Sequence, residues 1–140
     1  MTLPPDVLVD TGVLVAFYDA ADRYHDAVVD FFTRCTARLI TTVDCVTEVM
    51  WLLSSNWQVQ NEFLNHLARG VYVCEPLLAE DFGRIAELNK QYADLPGDFS
   101  DLALIALSER LNIAAIATLD KDFDIYRRYR KEFFNRVFRP

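Results

Sequence analysis

The sequence predicts an α/β fold in which helices cover both faces of a parallel β-sheet. Two short apolar runs, residues 7–9 and 113–119, have the composition of strands that are buried on both faces. Stretches of helical length and amphipathic pattern lie between the apolar runs. Strands that alternate with helices along a chain are typical of parallel sheets, because a helix usually makes the crossover between two parallel strands.

The composition is that of a globular protein. The chain has 140 residues, of which 52% are hydrophobic, and its formal net charge is −7. We expect a single domain over residues 1–140 with a substantial core. The apolar runs are far shorter than the roughly 20 residues that cross a bilayer, and the N-terminus lacks the basic region of a signal peptide. Cys35, Cys45 and Cys74 form no CxxC pair, so we expect buried thiols in a cytoplasmic protein without membrane association.

The strands are predicted from short apolar runs that end at polar or turn-forming residues. The first run ends at Asp10, the third ends before Glu75 and Pro76, and the fourth ends at Asp120. The predicted strands cover residues 7–9, 38–42, 71–74, 113–119 and 136–138.

The helices are predicted where apolar residues recur three or four positions apart. Asp22 and Asp44 are the expected N-caps of the second and third helices. His25, in the first turn of the second helix, is expected to be solvated, with contact to a substrate as the alternative. The predicted helices cover residues 13–18, 24–33, 44–54, 57–69, 80–92 and 125–134, with another that starts at Asp98. The expected buried sides are Trp57, Phe63, Leu64 and Leu67 in one helix and Phe82, Ile85, Ala86 and Leu88 in another.

Acidic residues occur where the predicted sheet would bring them together. Asp10 and Asp120 follow buried strands, and the carboxyl ends of parallel strands face the ligand crevice of open α/β sheets. Asp98 and Asp101 are three positions apart at a helix start and therefore share one face. Glu48 lies in an otherwise apolar helix, where an acid is rarely buried without a partner, although a solvated stripe beside Thr47 explains it equally well.

A cluster of carboxylates is unfavourable unless cations neutralise it. Oxygen ligands favour Mg²⁺ or Mn²⁺ over zinc. Taken singly, each acid also has an ordinary explanation as a strand-end turn, a surface residue, a helix cap or a loop residue. Asp120, Asp122 and Asp124 have the spacing of an EF-hand loop, but the glycine and glutamate that such a loop requires are absent. Nucleotide-binding glycine loops, nucleophilic serine motifs and zinc-ligand patterns are absent as well.

Four segments resemble the PIN-domain ribonucleases, and among them the VapC-like toxins of toxin–antitoxin pairs. The segments are VLVDTGVLVAFYDAADRYH at 7–25, TEVMWLL at 47–53, DFSDLALIALSERLNI at 98–113 and IATLDKDFDIYR at 116–127. Their order and spacing agree with the family along nearly the whole chain. The resemblance implies a three-layer α/β/α fold with a short, largely parallel five-stranded sheet. It also implies cleavage of RNA that depends on Mg²⁺ or Mn²⁺.

The resemblance also assigns roles to individual residues. The four catalytic acids of the family match Asp10, Glu48, Asp101 and Asp120. The expected metal ligands among them are Asp10, Asp101 and Asp120, with Asp98 and Asp122 as auxiliary acids. Small polar positions beside the first and fourth acids match Thr11 and Thr118, and we expect these two residues to contact the substrate. Asn112 stands where the family often has glycine, and asparagine tolerates the left-handed conformation.

Substrate and partners follow from the same resemblance. We expect an endoribonuclease toxin acting on tRNA, rRNA or mRNA, with a cognate antitoxin and a homodimeric state in which Trp51, Trp57 and Phe63 line the interface or else belong to the core. Residues 120–140 carry seven basic and four acidic side chains. Arg127 and Arg128, with Arg130 and Lys131, are therefore candidates for phosphate contacts, the alternative being a solvated terminal helix. The alternative function is a catalytically silent PIN module that binds RNA or an antitoxin.

Overall fold

A computed structural model describes residues 3–95 and 97–140. Its strands, numbered in chain order, are β1 (Asp6–Val9), β2 (Arg38–Thr42), β3 (Tyr72–Glu75), β4 (Ala115–Ala117), β5 (Arg127–Arg128), β6 (Glu132–Phe133) and β7 (Asn135–Phe138). Its α-helices are α1 (Thr11–Tyr18), α2 (His25–Arg34), α3 (Val43–Leu52), α4 (Trp57–Ala68), α5 (Ala79–Gln91) and α6 (Phe99–Arg110). Short 3-10 helices span Lys121–Asp124 and Tyr129–Lys131.

The main sheet has five strands in the order β3-β2-β1-β4-β7. Every pair of neighbours in it is parallel, which confirms the predicted sheet. The second strand matches its predicted range to the residue, and the first, third and fifth lie within one or two residues of theirs. The fourth strand is shorter than predicted. This strand order places β1 at the centre of the sheet with β4 beside it.

Alternating residues of the sheet enter two separate cores. Val7 and Val9 of β1 belong to the core covered by α1 to α4, whereas Leu8 belongs to the core covered by α5 and α6. This division is the three-layer α/β/α arrangement that was predicted. Helix α6 is buried on nearly all sides, from Leu102 to Ser108, as its uniformly apolar sequence indicated. The helices in the described part of the chain include none that is long and apolar enough to span a membrane.

The predicted helix over residues 125–134 is wrong. This segment forms the antiparallel hairpin β5–β6 around a 3-10 turn, in which Arg130 and Lys131 have φ values of 59° and 62°. Contacts across the hairpin and to α6 replace helical hydrogen bonds: the Arg127 guanidinium lies 4.0 Å from the centroid of the Phe133 ring, and Arg128 donates to the Ser108 carbonyl. Tertiary contacts therefore override the helical pattern of the sequence.

Two predicted caps are also wrong. Asp22 accepts from the Tyr24 amide in the turn before α2, and Tyr24 itself occupies the N-cap position without a side-chain bond. Thr42, the last residue of β2, caps α3, so Asp44 falls in the first turn. A strand that leads directly into a helix leaves its final residue to cap that helix.

Several apolar residues that were expected inside face outward. Trp57 and Phe82 are more than half exposed, while Phe63, Ile85 and Leu88 are buried as predicted. The remaining wrong predictions of burial concern Leu64, Ala86 and Cys74, all exposed. Cys45 is fully buried, and Cys35 is half-buried. Asn112, which follows α6, has a φ of 54°, so its predicted left-handed conformation is confirmed.

Candidate acidic active site

One cavity of about 330 Å³ opens at the carboxyl edge of the sheet. Five carboxylates from four parts of the chain line it: Asp10 after β1, Glu48 in α3, Asp98 and Asp101 at the start of α6, and Asp120 after β4. The four predicted catalytic acids and one of the two auxiliary acids are therefore brought together. The structure thus places in one crevice residues that lie up to 110 positions apart in the sequence.

Asp10 is held by the neighbouring central strand. Because Val9 pairs with Ala117, the next residues, Asp10 and Thr118, are neighbours. The Thr118 hydroxyl donates to Oδ2 of Asp10, while Oδ1 of Asp10 accepts from the amide of Val13 and caps α1. Thr118 also accepts from the Asp120 amide at 2.9 Å. A single buried hydroxyl therefore orients Asp10 and anchors the backbone of Asp120.

Glu48 is oriented by a threonine of another helix. Thr11, the first residue of α1, donates its hydroxyl to Oε1 of Glu48 at 2.9 Å. Glu48 is half-buried and lines the cavity, so the alternative of a solvated stripe does not describe it. Thr11 and Thr118 were proposed to contact the substrate. In the structure, the Thr11 hydroxyl donates to Glu48 and the Thr118 hydroxyl donates to Asp10.

Asp98 and Asp101 share the N-terminus of α6. Asp98 is the N-cap, with Oδ1 accepting from the Asp101 amide at 2.9 Å, and its side chain also lines the cavity. The hydroxyl of the fully buried Tyr126 donates to Oδ2 of Asp101 at 3.4 Å. Gly97 leaves room for this ring, because a Cβ at position 97 would collide with the Tyr126 hydroxyl.

Burial and neighbouring charges raise the pKa values of two of these carboxylates, Asp101 and Asp10. Burial, followed by the nearby charges of Asp98, Asp120 and Asp10, raises the pKa of Asp101 to about 8. Burial raises the pKa of Asp10 to about 6, although its bond from Thr118 acts in the opposite direction. Among the described residues, no lysine, arginine or histidine forms an ion pair with any of the five carboxylates. The protein therefore leaves this negative charge uncompensated.

The donor set suits a hard divalent cation. Carboxylate oxygens are the ligands that Mg²⁺ and Mn²⁺ prefer. A cation would offset the burial and the repulsion that together raise the pKa of Asp101. Within residues 3–95 and 97–140, however, no three His, Cys, Asp or Glu side chains already form a metal-binding group. The donor chemistry and the unmet charge of the cavity, rather than a preformed ligand group, are what fit a divalent cation.

The other predicted site residues lie outside the cavity. Asp122 does not line it, and the Asp122 amide donates to Oδ1 of Asp120. His25 is bonded through Nδ1 to the Ala16 carbonyl and so joins α2 to α1. One guanidinium nitrogen of Arg127, Nη1, donates to three backbone carbonyls nearby in the sequence. Arg128 is 6% exposed and bonded to Ser108 and Glu132, which contradicts its proposed contact with phosphate.

Some cavity residues were not identified from the sequence. Cys45 precedes Glu48 by three positions on α3, so the helical repeat could have placed it on the same face. Tyr126, which bonds to Asp101 without lining the cavity, gave no such signal, because its approach to Asp101 depends on the turn that follows β4. The remaining unpredicted lining residues are Gly12, Ser100, Leu104 and Leu119.

Three kinds of comparison place this site among known proteins. The PIN domain family matches residues 7–129. Ribonuclease VapC26 of Mycobacterium tuberculosis is 27% identical over 117 residues, which cover 82% of this chain and 87% of that protein.

Solved structures agree in fold. The crystal structure of Mycobacterium tuberculosis VapC20, a toxin that cleaves the sarcin–ricin loop, superposes with a TM-score of 0.78 at 18% identity, covering 85% of this chain and 93% of that one. A toxin–antitoxin complex from Klebsiella pneumoniae gives a TM-score of 0.64 at 15% identity, covering 84% and 89% of the respective chains. The likeness in fold extends over most of each chain.

Proposed function

The chain belongs to the PIN domain family, and on that premise we propose that it is an endoribonuclease of the VapC type that hydrolyses RNA phosphodiester bonds with the help of Mg²⁺ or Mn²⁺. The observation that carries this proposal is the cavity lined by five carboxylates without a compensating cation. The curated relative at 27% identity is a ribonuclease, which agrees with the proposal. The expected single domain over residues 1–140 stays a prediction.

The side chains divide the work in this proposal. Asp10, Asp101 and Asp120 hold the cation, and Glu48 adds a carboxylate whose position Thr11 fixes. A bound divalent ion supplies a water of lowered pKa and positive charge beside the scissile phosphate. Asp98 or Asp101, both at the start of α6 and both lining the cavity, would accept the proton of that water. Thr118 keeps Asp10 and Asp120 in place throughout.

The proposed substrate is single-stranded or looped RNA. Unpaired bases are accessible to a protein, whereas the major groove of A-form RNA is too deep and narrow. One similar structure is that of a toxin that cleaves the sarcin–ricin loop. Arg130 and Lys131 are exposed at the tip of the β5–β6 hairpin and remain the candidates for contacts with flanking phosphates.

An antitoxin is the proposed protein partner. A carboxylate cluster without its own cation can accept the guanidinium of a partner's arginine, with charge-assisted hydrogen bonds that would compete with the metal. The similarity to a toxin–antitoxin complex supports this proposal. A tight complex of this kind would inhibit cleavage. The alternative function is a catalytically silent module that binds RNA or an antitoxin and does not cleave.

Homodimerisation is proposed through the end of α3 and the start of α4. Trp51, Leu52 and Trp57 are 76%, 53% and 63% exposed, which is unusual for side chains of this size. Phe63, which was considered for the same surface, is fully buried and belongs to the core. Sedimentation velocity tests the proposal: Trp51→Glu should convert a dimer to a monomer, and a wild-type monomer at every concentration would contradict it.

Cleavage of RNA is the direct test of the function. Purified protein would be incubated with a pool of tRNA and structured RNA in Mg²⁺, Mn²⁺ or EDTA, beside Asp10→Asn and Asp101→Asn. We expect discrete products that require the metal and are lost in both variants. Full activity of Asp10→Asn would contradict the role of the acids, and a wild type that binds RNA without cleaving it would favour the silent module.

A further inference from the structure

A buried arginine of the last strand is connected to the acidic cavity. Arg136 belongs to β7, which pairs with β4 in parallel. Its side chain is 7% exposed, and Nη2 donates to the Thr118 carbonyl at 3.1 Å. We infer that Arg136 is a positioning residue of the active site, acting through Thr118 on Asp10 and Asp120; this inference rests on the proposed function.

The end of β4 explains why a side chain is needed here. Strand β4 ends at Ala117, and its register with β7 shifts between Ile116 and Ala117. A buried carbonyl is costly without a donor. The Thr118 carbonyl lies just beyond the strand, and the guanidinium of Arg136 bonds to it.

Arg136 also bonds to the far end of the acidic loop. Its Nη1 contacts Oδ2 of Asp124 at 3.0 Å, and Asp124 ends the 3-10 helix that begins after Asp120. One guanidinium therefore joins the two ends of the loop that carries Asp120, at Thr118 and at Asp124. The planar group suits this bridge, because its nitrogens donate in two fixed directions.

The bridge continues directly into the site. The Thr118 hydroxyl donates to Asp10 and accepts from the Asp120 amide, and the Asp122 amide donates to Asp120. In the described part of the chain, Arg136 bonds to none of the five cavity carboxylates, so its effect on them passes through Thr118. Residues that orient metal ligands in this manner commonly change metal affinity or activity by about 10- to 100-fold when they are replaced.

The chain supplies a matched control for burial. Arg128 is also a buried arginine of the C-terminal segment, with a side chain 6% exposed, but its bonds go to Ser108 and Glu132. Arg128→Gln should lower the stability of the fold without changing the positions of Asp10 and Asp120. Arg136→Gln should affect the acids in addition to stability, because only this arginine bonds to Thr118 among the residues described.

The test combines a local and a functional measurement on the full chain. In Arg136→Gln, we expect the amides of Asp120 and Asp122 to exchange with solvent about tenfold faster relative to the β1 amides, as on loss of one hydrogen bond. We expect Mn²⁺ affinity and kcat to fall by about 10- to 100-fold, with KM little changed. Arg128→Gln should leave the relative exchange rates, Mn²⁺ affinity and kcat at the wild-type level.

Failure of this inference can be told from failure of the proposed function. Unchanged exchange of the Asp120 and Asp122 amides in Arg136→Gln would overturn the positioning role, as would equal losses in the two arginine variants. A wild type that neither binds Mn²⁺ nor cleaves RNA would overturn the proposed function. The exchange measurement needs neither metal nor RNA, so it decides the positioning role in either case.

Discussion

Two aspartates at the carboxyl edge of this fold have opposite electrostatic surroundings. Asp101 lies in the acidic cavity, where burial and three neighbouring acids raise its pKa to about 8. Asp124 lies at the end of the next loop, where hydrogen bonds from Arg139 and Arg136 lower its pKa. The two side chains are chemically identical. Arg136 and Arg139 compensate the charge of Asp124. The charge of Asp101 has no such ion pair among the described residues, so a bound cation or a proton must compensate it.

The difference separates carboxylates that hold the structure from those that serve function. A compensated acid contributes to folding and has no unmet charge, as at Asp124. An uncompensated cluster costs stability, and a folded protein keeps such a cluster where a cation or a proton completes it.

Loss of activity is the largest difference that we expect. Asp101→Asn should lower RNA cleavage by at least about 10²- to 10³-fold, the loss seen when a group that stabilises a transition state is removed. Asp124→Asn should lower it by no more than about tenfold, because the asparagine oxygen can still accept from Arg136. Single-turnover cleavage rates at saturating Mg²⁺ measure both variants, and equal losses would contradict the distinction.

The pH dependence of stability is the next prediction. The pKa values of Asp10 and Asp101 in the folded protein, about 6 and about 8, lie above the ordinary value of 3.8. Between pH 3.8 and these raised values, the folded state therefore binds more protons than the unfolded state. The free energy of unfolding should fall as the pH rises from 5 to 8, by up to about 1.4 kcal/mol per pH unit for each group that is still protonated only in the folded state. Urea unfolding in EDTA measures this slope, which Mn²⁺ should flatten.

A flat or rising stability over that interval in EDTA would show that the cavity carboxylates are compensated. Asp101→Asn serves as the control, because it removes the group with the larger shift. Its slope between pH 6 and 8 should be smaller than that of the wild type.

The two aspartates should also respond oppositely to neutralisation in metal-free protein. Asp101→Asn removes a charge that its neighbours repel, so the free energy of unfolding at pH 8 should rise, by about 1 kcal/mol after allowance for solvent screening. Asp124→Asn removes a charged partner of the buried Arg136, so the free energy of unfolding should fall in this variant. Thermal unfolding in EDTA compares the signs, and the same sign for both would contradict the comparison.

The smallest effect is expected at Arg139, the more exposed of the two arginines that pair with Asp124. Arg139 is 58% exposed and contacts Asp124 at 2.8 Å, and exposed ion pairs contribute little to stability. Arg139→Gln should leave the unfolding midpoint near that of the wild type and leave cleavage unchanged. A large loss of either would indicate that Arg139, rather than Arg136, holds the loop.

Much of the fold was predictable because the central strands are buried on both faces. The run from Val7 to Val9 is apolar and ends at an acid, and this local pattern gave both the strand and the position of Asp10. A second strand end and a helix start indicated Asp120, Asp98 and Asp101, and the resemblance then assigned the roles of the acids. Their convergence followed from the rule that parallel strands end at one edge. Glu48 could not be placed from periodicity alone, because its bond from Thr11 joins two different helices.

What could not be predicted depends on contacts between distant residues. Residues 125–134 have a helical composition, yet the hairpin forms because Arg128 reaches Ser108 of α6 and Arg127 stacks on Phe133. The bond from Arg136 to Thr118 depends on the register of β7 against β4. Thr42 was not recognised as a cap because it was read only as the end of a strand.

Calorimetric titration of metal-free protein with Mn²⁺ at pH 7, in two buffers of different ionisation enthalpy, shows whether the cavity binds a cation. With a pKa of about 8, Asp101 is mostly protonated at this pH, so a metal that binds its carboxylate must displace the proton. We expect binding with proton release in the wild type and a smaller release in Asp101→Asn. Absence of binding, or binding without proton release, would contradict the claim that this cavity is an uncompensated cation site.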